Sequence, residues 1–340
     1  MTDRYFDPWT KNTHLTFTVT KRLESFTTPY QTIDVFEAAD WGTVLALGGV
    51  TNVTDRDESG YHEMLAHPAL LAHPAPKQVL IIGGGDGGTL REVLRHPEVE
   101  RAVLCDIDGE VIRCARQYFP QCAAALDDPR AEVIVGDGLA YVEDAAKAGR
   151  QFDVILVDST DPVDAAVELF TETFYRHCAA LLGERGILVP QSDSPTFYLG
   201  RVADVYRKLS AIFRHTSLYL GQVTAYPGGV WAYTAASQGT PVQAGLDEAR
   251  ARRLEPQLRY ANFEFIRAAF ALPTYVQRGL AGAAGGALPG LGDDPAGFFG
   301  EYTRALGGAD ATIAFDYVPA VLISMVLVWI AVIVVMALGV

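Results

Sequence analysis

A run of apolar residues, Leu80-Ile81-Ile82, leads directly into Gly83-Gly84-Gly85-Asp86-Gly87-Gly88, and a helical pattern follows from Thr89 to Leu94. A strand, a glycine loop and a helix in this order restrict the chain to folds that bind small molecules at the carboxyl ends of buried strands. Glycine allows close backbone approach, so the N–H groups of Gly83 and Gly85 can lie against a ligand. Asp86 is the odd member. A cradle for pyrophosphate would repel an acid at its centre, so Asp86 points to a ligand that is cationic near the loop.

The flanking pattern extends this unit into a domain. Strands are expected at Val79–Ile82, Ala102–Ile107, Glu132–Val135, Asp153–Val157 and Ile187–Val189, with helices near Thr89–Leu94, Gly109–Tyr118, Leu139–Ala146 and Thr171–Leu181 between them. Such alternation predicts an α/β, Rossmann-like, methyltransferase-type sheet, mostly parallel, with helices on both faces. Strands near His215–Leu220 and Val230–Thr234 would complete it. Upstream, His14–Val19, Thr32–Phe36 and Gly42–Leu47 alternate between turn residues and read as a small antiparallel β-domain. The expected organisation is an N-terminal β-domain over 1–60, a catalytic domain over 61–278, a Gly/Ala/Pro-rich linker over 279–316 and a transmembrane helix over 317–340.

Each parallel strand ends in acid. Asp86 follows the first, Asp106-Ile107-Asp108 the second, Gly136-Asp137-Gly138 the third and Asp158-Ser159-Thr160-Asp161-Pro162 the fourth. Helix capping explains any one of these, but four in register on one rim mark a site. Gly83-x-Gly85-x-x-Gly88 with an acid about twenty residues on formally matches a dinucleotide fingerprint. Asp106 suits the vicinal hydroxyls of a ribose, which a nicotinamide dinucleotide and an adenosyl sulfonium share. Asp86 favours the sulfonium, which brings positive charge and no phosphate. Asp137 can then accept from an adenine amino group, or simply serve as a turn residue. Asp158 and Asp161 can hold an ammonium between them, and one can take its proton, because an amine nucleophile near pKa 10 needs a base at neutral pH. Tyr61-His62, Tyr226 and Trp231 offer aromatic and polar walls for an amine.

Charge and cysteines narrow the classes further. With 41 acids against 27 bases the net charge is -14, which argues against a nucleic-acid partner. Cys105, Cys114, Cys122 and Cys178 form no C-x-x-C pair and have no histidines at zinc-like spacing, so no metal is expected and a reducing, cytoplasmic compartment is. Met1–Thr13 is polar, with no apolar core of a secretory leader. Val318–Val340, by contrast, is 23 residues without a charge, long enough to anchor the protein in a bilayer.

Taken together, these motifs resemble those of the spermidine synthases, the polyamine aminopropyltransferases, over residues 14–280. The resemblance rests on Tyr30-Gln31, Asp55-Arg56-Asp57-Glu58, Tyr61-His62-Glu63-Met64, the Gly83–Gly88 loop, Leu104–Asp108, Gly136–Gly138, Asp158–Pro162, Gln191–Pro195, Tyr226-Pro227 and Ala271–Thr274. It implies transfer of the propylamine group of decarboxylated S-adenosylmethionine to an amine, usually putrescine, giving spermidine and methylthioadenosine. It implies Asp158 as proton acceptor, Asp86 and Asp161 as ammonium holders, Tyr61, His62 and Tyr226 as the amine wall, and Gln31, Asp106, Asp137 and Gly138 as nucleoside ligands. A homodimer or homotetramer is the usual assembly. Three places depart from the family pattern: Asp164-Ala165-Ala166 stands where Gly-Pro-Ala is common, Gly48 where Asp is usual, and Ser59 where Phe is usual. The linker and apolar tail lie outside that pattern. An S-adenosylmethionine methyltransferase shares the sheet and Asp106 but has no need of Asp158 and Asp161 beside Tyr61 and Tyr226. A non-catalytic polyamine-binding membrane protein is the alternative from another class.

Overall fold

The computed structural model describes residues 3–160 and 164–282. Two units divide the chain, Met1–Asp294 and Pro295–Val340, and all described residues belong to the first.

Alternating residues at the N-terminus build a five-stranded antiparallel meander: β1 (Arg4–Thr10), β2 (Thr13–Thr27), β3 (Thr32–Ala38), β4 (Gly42–Leu47) and β5 (Val50–Thr54). Two of these strands escape a periodicity reading. In β1, Asp7 and Pro8 interrupt the apolar alternation, yet the buried Asp7 carboxylate accepts from the Thr51 N–H at 3.2 Å. In β5 the polar sequence Val-Thr-Asn-Val-Thr hides the strand. β2 also runs past Val19 to Thr27, because register shifts near Lys21 and Arg22–Glu24 change which residues face inward and break the period of two. One face of the meander, Ile33, Val35, Leu45 and Val53, packs on Val111, Cys114, Phe119 and Cys122 of the catalytic domain. This contact holds the meander beside the strand ends.

The second sheet has seven strands in the order β11-β12-β10-β9-β6-β7-β8. They are β6 (Gln78–Gly83), β7 (Arg101–Asp106), β8 (Ala131–Val135), β9 (Phe152–Asp158), β10 (Leu182–Pro190), β11 (His215–Gln222) and β12 (Val230–Ser237). β6 to β10 pair in parallel, while β12 runs antiparallel to β10 and β11. The helices that concern the site are α1 (Glu58–Ala72), α2 (Gly88–Leu94), α3 (Gly109–Tyr118), α4 (Pro120–Ala123), α5 (Gly138–Lys147), α6 (Glu172–Leu181) and α7 (Leu199–Ser210). Side chains alternate across the central strands. Val79, Ile81, Leu104, Val154 and Leu156 therefore pack under α1 and α2, and Leu80, Ile82, Val103, Ile155 and Val157 under α5, α6 and α7. Strands covered on both faces read as unbroken apolar runs. The strand order reverses between β9 and β6, so the crevice beyond their carboxyl ends is the switch point where such sheets bind ligands.

α1 is buried along almost its whole length and contains Pro68. A proline inside a helix leaves the carbonyl four residues earlier without its donor. Here that carbonyl, on Met64, accepts from the Tyr219 hydroxyl at 2.9 Å. Glu63 on the same helix accepts three backbone N–H groups, from Arg259, Tyr260 and Ala261, at 2.7–3.0 Å. These bonds tie the C-terminal helical segment to α1, and charge-assisted bonds of this kind contribute about 1.5–3 kcal/mol each. α1 is thereby a rigid rail for Tyr61 and His62.

No helix among the described residues is long and apolar enough to cross a membrane. The expected transmembrane segment 317–340, nearly all of the expected linker, and Asp161 lie outside the described residues.

Candidate active site

The glycine loop is pinned to the end of β9. The Gly84 N–H donates to the Asp158 carbonyl at 2.9 Å. Gly83 has φ +81°, and a Cβ there would fall 2.1 Å from that same carbonyl oxygen. Farther along, a Cβ on Gly88 would sit 2.2 Å from the His62 ring, and one on Gly85 2.8 Å from the Asp106 carboxylate. Several of these glycines thus make room for the acids and the histidine of the site. The N–H of Gly85, expected to face a ligand, donates to Asp106 Oδ2 at 2.8 Å.

Asp158 closes the crevice. Its Oδ1 accepts from the Tyr61 hydroxyl at 2.7 Å and its Oδ2 from the Thr89 hydroxyl at 2.6 Å. Burial, followed by the Asp86 carboxylate, pushes Asp158 up to about 6, while His62, Thr89 and Tyr61 pull the other way. Burial and the adjacent Asp158 hold the Tyr61 hydroxyl well above its ordinary value, so it remains a donor. Asp86 accepts from the Gly88 N–H at 2.8 Å and lies 3.1 Å from His62 Nε2. On the other side, His62 Nδ1 is 2.7 Å from Glu58 Oε2. Ligand atoms of His62, Asp86 and Asp158 lie within 4.8 Å of one another. Both His62 nitrogens thus face carboxylates.

At the other end of the rim, Asp106 accepts from the N–H groups of Gly85 and Asp108, each at 2.8 Å. Burial above all pushes Asp106 up to about 6; those two N–H bonds offset it in part, and the Asp86 and Asp108 charges add to it. Gln31 reaches this rim from the meander, donating to Asp108 Oδ2 at 3.1 Å beside Thr28, which donates to the same oxygen at 2.8 Å. Asp137 caps α5, accepting from Leu139 and Ala140 N–H at 2.8 and 3.4 Å. Gly138 lets α5 start against β6, since a Cβ there would meet Ile82 at 2.5 Å. Among the described residues, the half-buried Asp106 carboxylate has only the Gly85 and Asp108 backbone N–H donors.

The aromatic wall is layered. The Tyr226 ring lies 5.6 Å from Tyr61 and 4.7 Å from Trp231, centroid to centroid. Its hydroxyl donates to the Asn52 carbonyl of β5 at 2.5 Å. Trp231 is buried in the core behind Tyr226. It packs edge-on against the Tyr226 ring. Tyr233 backs Tyr61 at 5.8 Å and stacks on Tyr219 at 5.2 Å.

The structure therefore brings together Tyr61, His62, Asp86 and Asp158 at one end, with Tyr226 beside them, and Gln31, Asp106, Asp137 and Gly138 at the other. Sequence reading quoted Glu58 and Asp108 without giving either a role of its own, and assigned none to Thr28, Asn52 and Thr89. The i, i+4 spacing of Glu58 and His62 was a usable signal. Asn52 had none, because its contribution is a backbone carbonyl.

Family models match the chain twice: the spermidine synthase tetramerisation domain over residues 5–55 and the spermine/spermidine synthase domain over 58–244. The chain is 45% identical to the polyamine aminopropyltransferase of Thermotoga maritima over 278 residues, covering 81% of this chain and 93% of that one. It is 41% identical to that of Bacillus subtilis over 272 residues, covering 80% and 96%. Among solved structures, the spermidine synthase of Thermotoga maritima superposes with a TM-score of 0.78 at 44% identity, over 82% of this chain and 94% of that one. A spermidine synthase in complex with the transition-state analogue AdoDATO does so with a TM-score of 0.79 at 44% identity, over 82% and 95%. Fold, strand-end acids and these matches agree: the chain is an enzyme of the spermine/spermidine synthase family, the polyamine aminopropyltransferases.

Proposed function

We propose that the enzyme transfers the aminopropyl group of decarboxylated S-adenosylmethionine to putrescine, giving spermidine and methylthioadenosine. The observation that carries this reading is the Asp158 carboxylate, held by Tyr61 and Thr89 next to the His62–Asp86 pair and at the end of the glycine loop. In the proposed reaction the amine nitrogen attacks the methylene beside the sulfonium. The carbon–sulfur bond breaks, and its electron pair leaves with a neutral thioether. The proton whose loss makes this nitrogen nucleophilic leaves the incoming ammonium for Asp158 before the attack, and the new secondary amine departs as an ammonium. Tyr61 and Thr89 fix the carboxylate so that a lone pair remains directed at the amine, and the chief tasks are orientation and proton removal.

Asp86 and Asp161 are assigned to the ammonium groups of the substrates, with Tyr61, His62, Tyr226 and Trp231 lining the amine end. Gln31, Gly83, Gly85, Asp106, Asp137 and Gly138 are assigned to the nucleoside. The acids also favour the decarboxylated donor. Intact S-adenosylmethionine would bring a carboxylate among them, and each 1.4 kcal/mol of repulsion costs about tenfold in affinity. The acceptor is tested by offering putrescine, cadaverine, agmatine and spermidine in competition and weighing the products. Putrescine is expected to dominate; preferential consumption of another amine would reassign it.

Two further readings complete the proposal. The five-stranded meander matches a domain named for tetramerisation, and we infer that the protein assembles through it as a homodimer or homotetramer. Light scattering should give a multiple of 36.8 kDa, and a monomer would refute the assembly. The catalytic domain is assigned to the cytoplasm, and the uncharged run Val318–Val340 to a single membrane anchor. Full-length protein should pellet with membranes and survive a carbonate wash, while residues 1–282 should stay in the supernatant. A full-length chain that washes off would remove the anchor.

A further inference from the structure

Glu58 lies one helical turn before His62 on α1, and the two carboxylates Glu58 and Asp86 meet the imidazole at Nδ1 and Nε2 respectively, at 2.7 and 3.1 Å. An ionised carboxylate only accepts hydrogen bonds, and a neutral imidazole carries one N–H. A ring with such an acceptor on each nitrogen is satisfied only when both nitrogens are protonated. Glu58 is itself fixed as an anion. Arg91 grips both its oxygens, Nη1 at 3.2 Å and Nη2 at 2.8 Å. Burial works against the charged form, but His62 and Arg91 outweigh it and bring Glu58 down to about 2. Behind Arg91, the buried Glu92 takes Arg91 Nε at 2.6 Å and Arg95 Nε at 2.8 Å and lies 3.2 Å from His67 Nε2. Charges therefore alternate along a buried seam from Asp86 to Arg95.

We propose that Glu58 is a positioning residue of the transfer reaction: clamped by Arg91, it keeps the His62 ring doubly protonated against Asp86 and so sets the charge that an incoming amine meets beside Asp158. The ring has no room to turn away, since α2 begins against it at Gly88. The groups that face it are Glu58 and Tyr61 from α1, Asp86 from the loop, Asp158 from β9 and Cys122 from α4, with Arg91 of α2 acting through Glu58. Burial alone would strip the proton from His62, but Asp86 and Glu58 more than reverse this and hold the ring well above its ordinary range. His62 then offsets part of the negative charge of Asp86. Without Glu58, His62 would give up its proton at a lower pH, and above that pH Asp86 would stand uncompensated at the amine end. The kinetic side of this assignment rests on aminopropyl transfer being the reaction; the protonation side does not.

The test is a histidine NMR titration of the full-length protein labelled with ¹³C and ¹⁵N at its seven histidines, with the His62 signal identified by its loss in His62→Gln. In the wild type, His62 should stay an imidazolium well above the pH at which an ordinary histidine titrates, as expected for a ring between two carboxylates. Glu58→Gln should lower its midpoint by about one to three pH units, the range for loss of one charged partner. Arg91→Met, which leaves Glu58 charged, should not lower it. In Glu58→Gln the KM for the amine, more than kcat, should then vary with pH around the new midpoint. A wild-type His62 that titrates near its ordinary value would overturn the proposal without any variant. So would an unchanged midpoint in Glu58→Gln, or an equal fall in both variants, which would mark general loosening. A wild-type titration as expected in a protein that transfers no aminopropyl group would place the failure in the reaction and leave the Glu58 clamp standing.

Discussion

Asp158→Asn lowers kcat by about 10²-fold or more, the scale of losing a general base. The amide keeps the size of the side chain. Its oxygen still accepts from Tyr61, and its NH₂ can donate to the Thr89 oxygen in place of the bond that Thr89 now donates to Oδ2. What disappears is the capacity to take a proton. The fold is expected to survive, and the pH dependence of stability has a definite sign. An acid held at about 6 in the folded state and near 3.9 when unfolded binds its proton more tightly when folded. Its contribution to stability is therefore fully present below the unfolded value and is lost as the pH rises through about 6. At pH 8 the wild type bears a buried carboxylate that the Asn variant lacks, so the inactive variant should unfold at the same or a higher temperature. The wild-type kcat/KM should fall as the pH drops through about 6, where Asp158 becomes protonated. Near-normal turnover in Asp158→Asn would remove Asp158 from the role of base.

Gly83→Ala should be the most disruptive small substitution in the glycine loop. Its φ of +81° disfavours any side chain, and the added methyl would meet the Asp158 carbonyl oxygen at 2.1 Å. That obstacle is backbone, already bonded to the Gly84 N–H, so it cannot swing aside as a side chain would. Strain and overpacking each cost about 1–3 kcal/mol, so a combined loss of about 3–5 kcal/mol is expected. Gly149 has a similar φ, +66°, but a methyl added there would have nothing within 4 Å, so it isolates the conformational part. Gly149→Ala should cost only about 1–2 kcal/mol. Urea unfolding of both variants decides the matter. Equal losses would mean that the contact with Asp158 contributes nothing.

Much of the catalytic sheet was legible because its chemistry is local and repetitive. Strands buried on both faces spell apolar runs such as Val79–Ile82 and Val154–Val157, and each is closed by an acid that a strand end would bring to one rim. The meander was less legible. Register shifts in β2 and the buried Asp7 in β1 break the period on which strand reading depends. In the site, residues with formal charge or a ring announced themselves, while partners chosen by three-dimensional position did not. Thr89 looked like a helix start and is a ligand of Asp158. The glycines are the clearest case. Their number suggested a ligand pressed against bare backbone, yet Gly83, Gly85 and Gly88 make room for Asp158, Asp106 and His62. Acids are thereby crowded around the loop.

Aminopropyl transfer is tested most directly by supplying the purified enzyme with putrescine and either decarboxylated or intact S-adenosylmethionine, and identifying both products by mass. Spermidine and methylthioadenosine are predicted from the decarboxylated donor, with little turnover of the intact one. A methylated amine with S-adenosylhomocysteine from intact S-adenosylmethionine, and no spermidine from the decarboxylated donor, would contradict it.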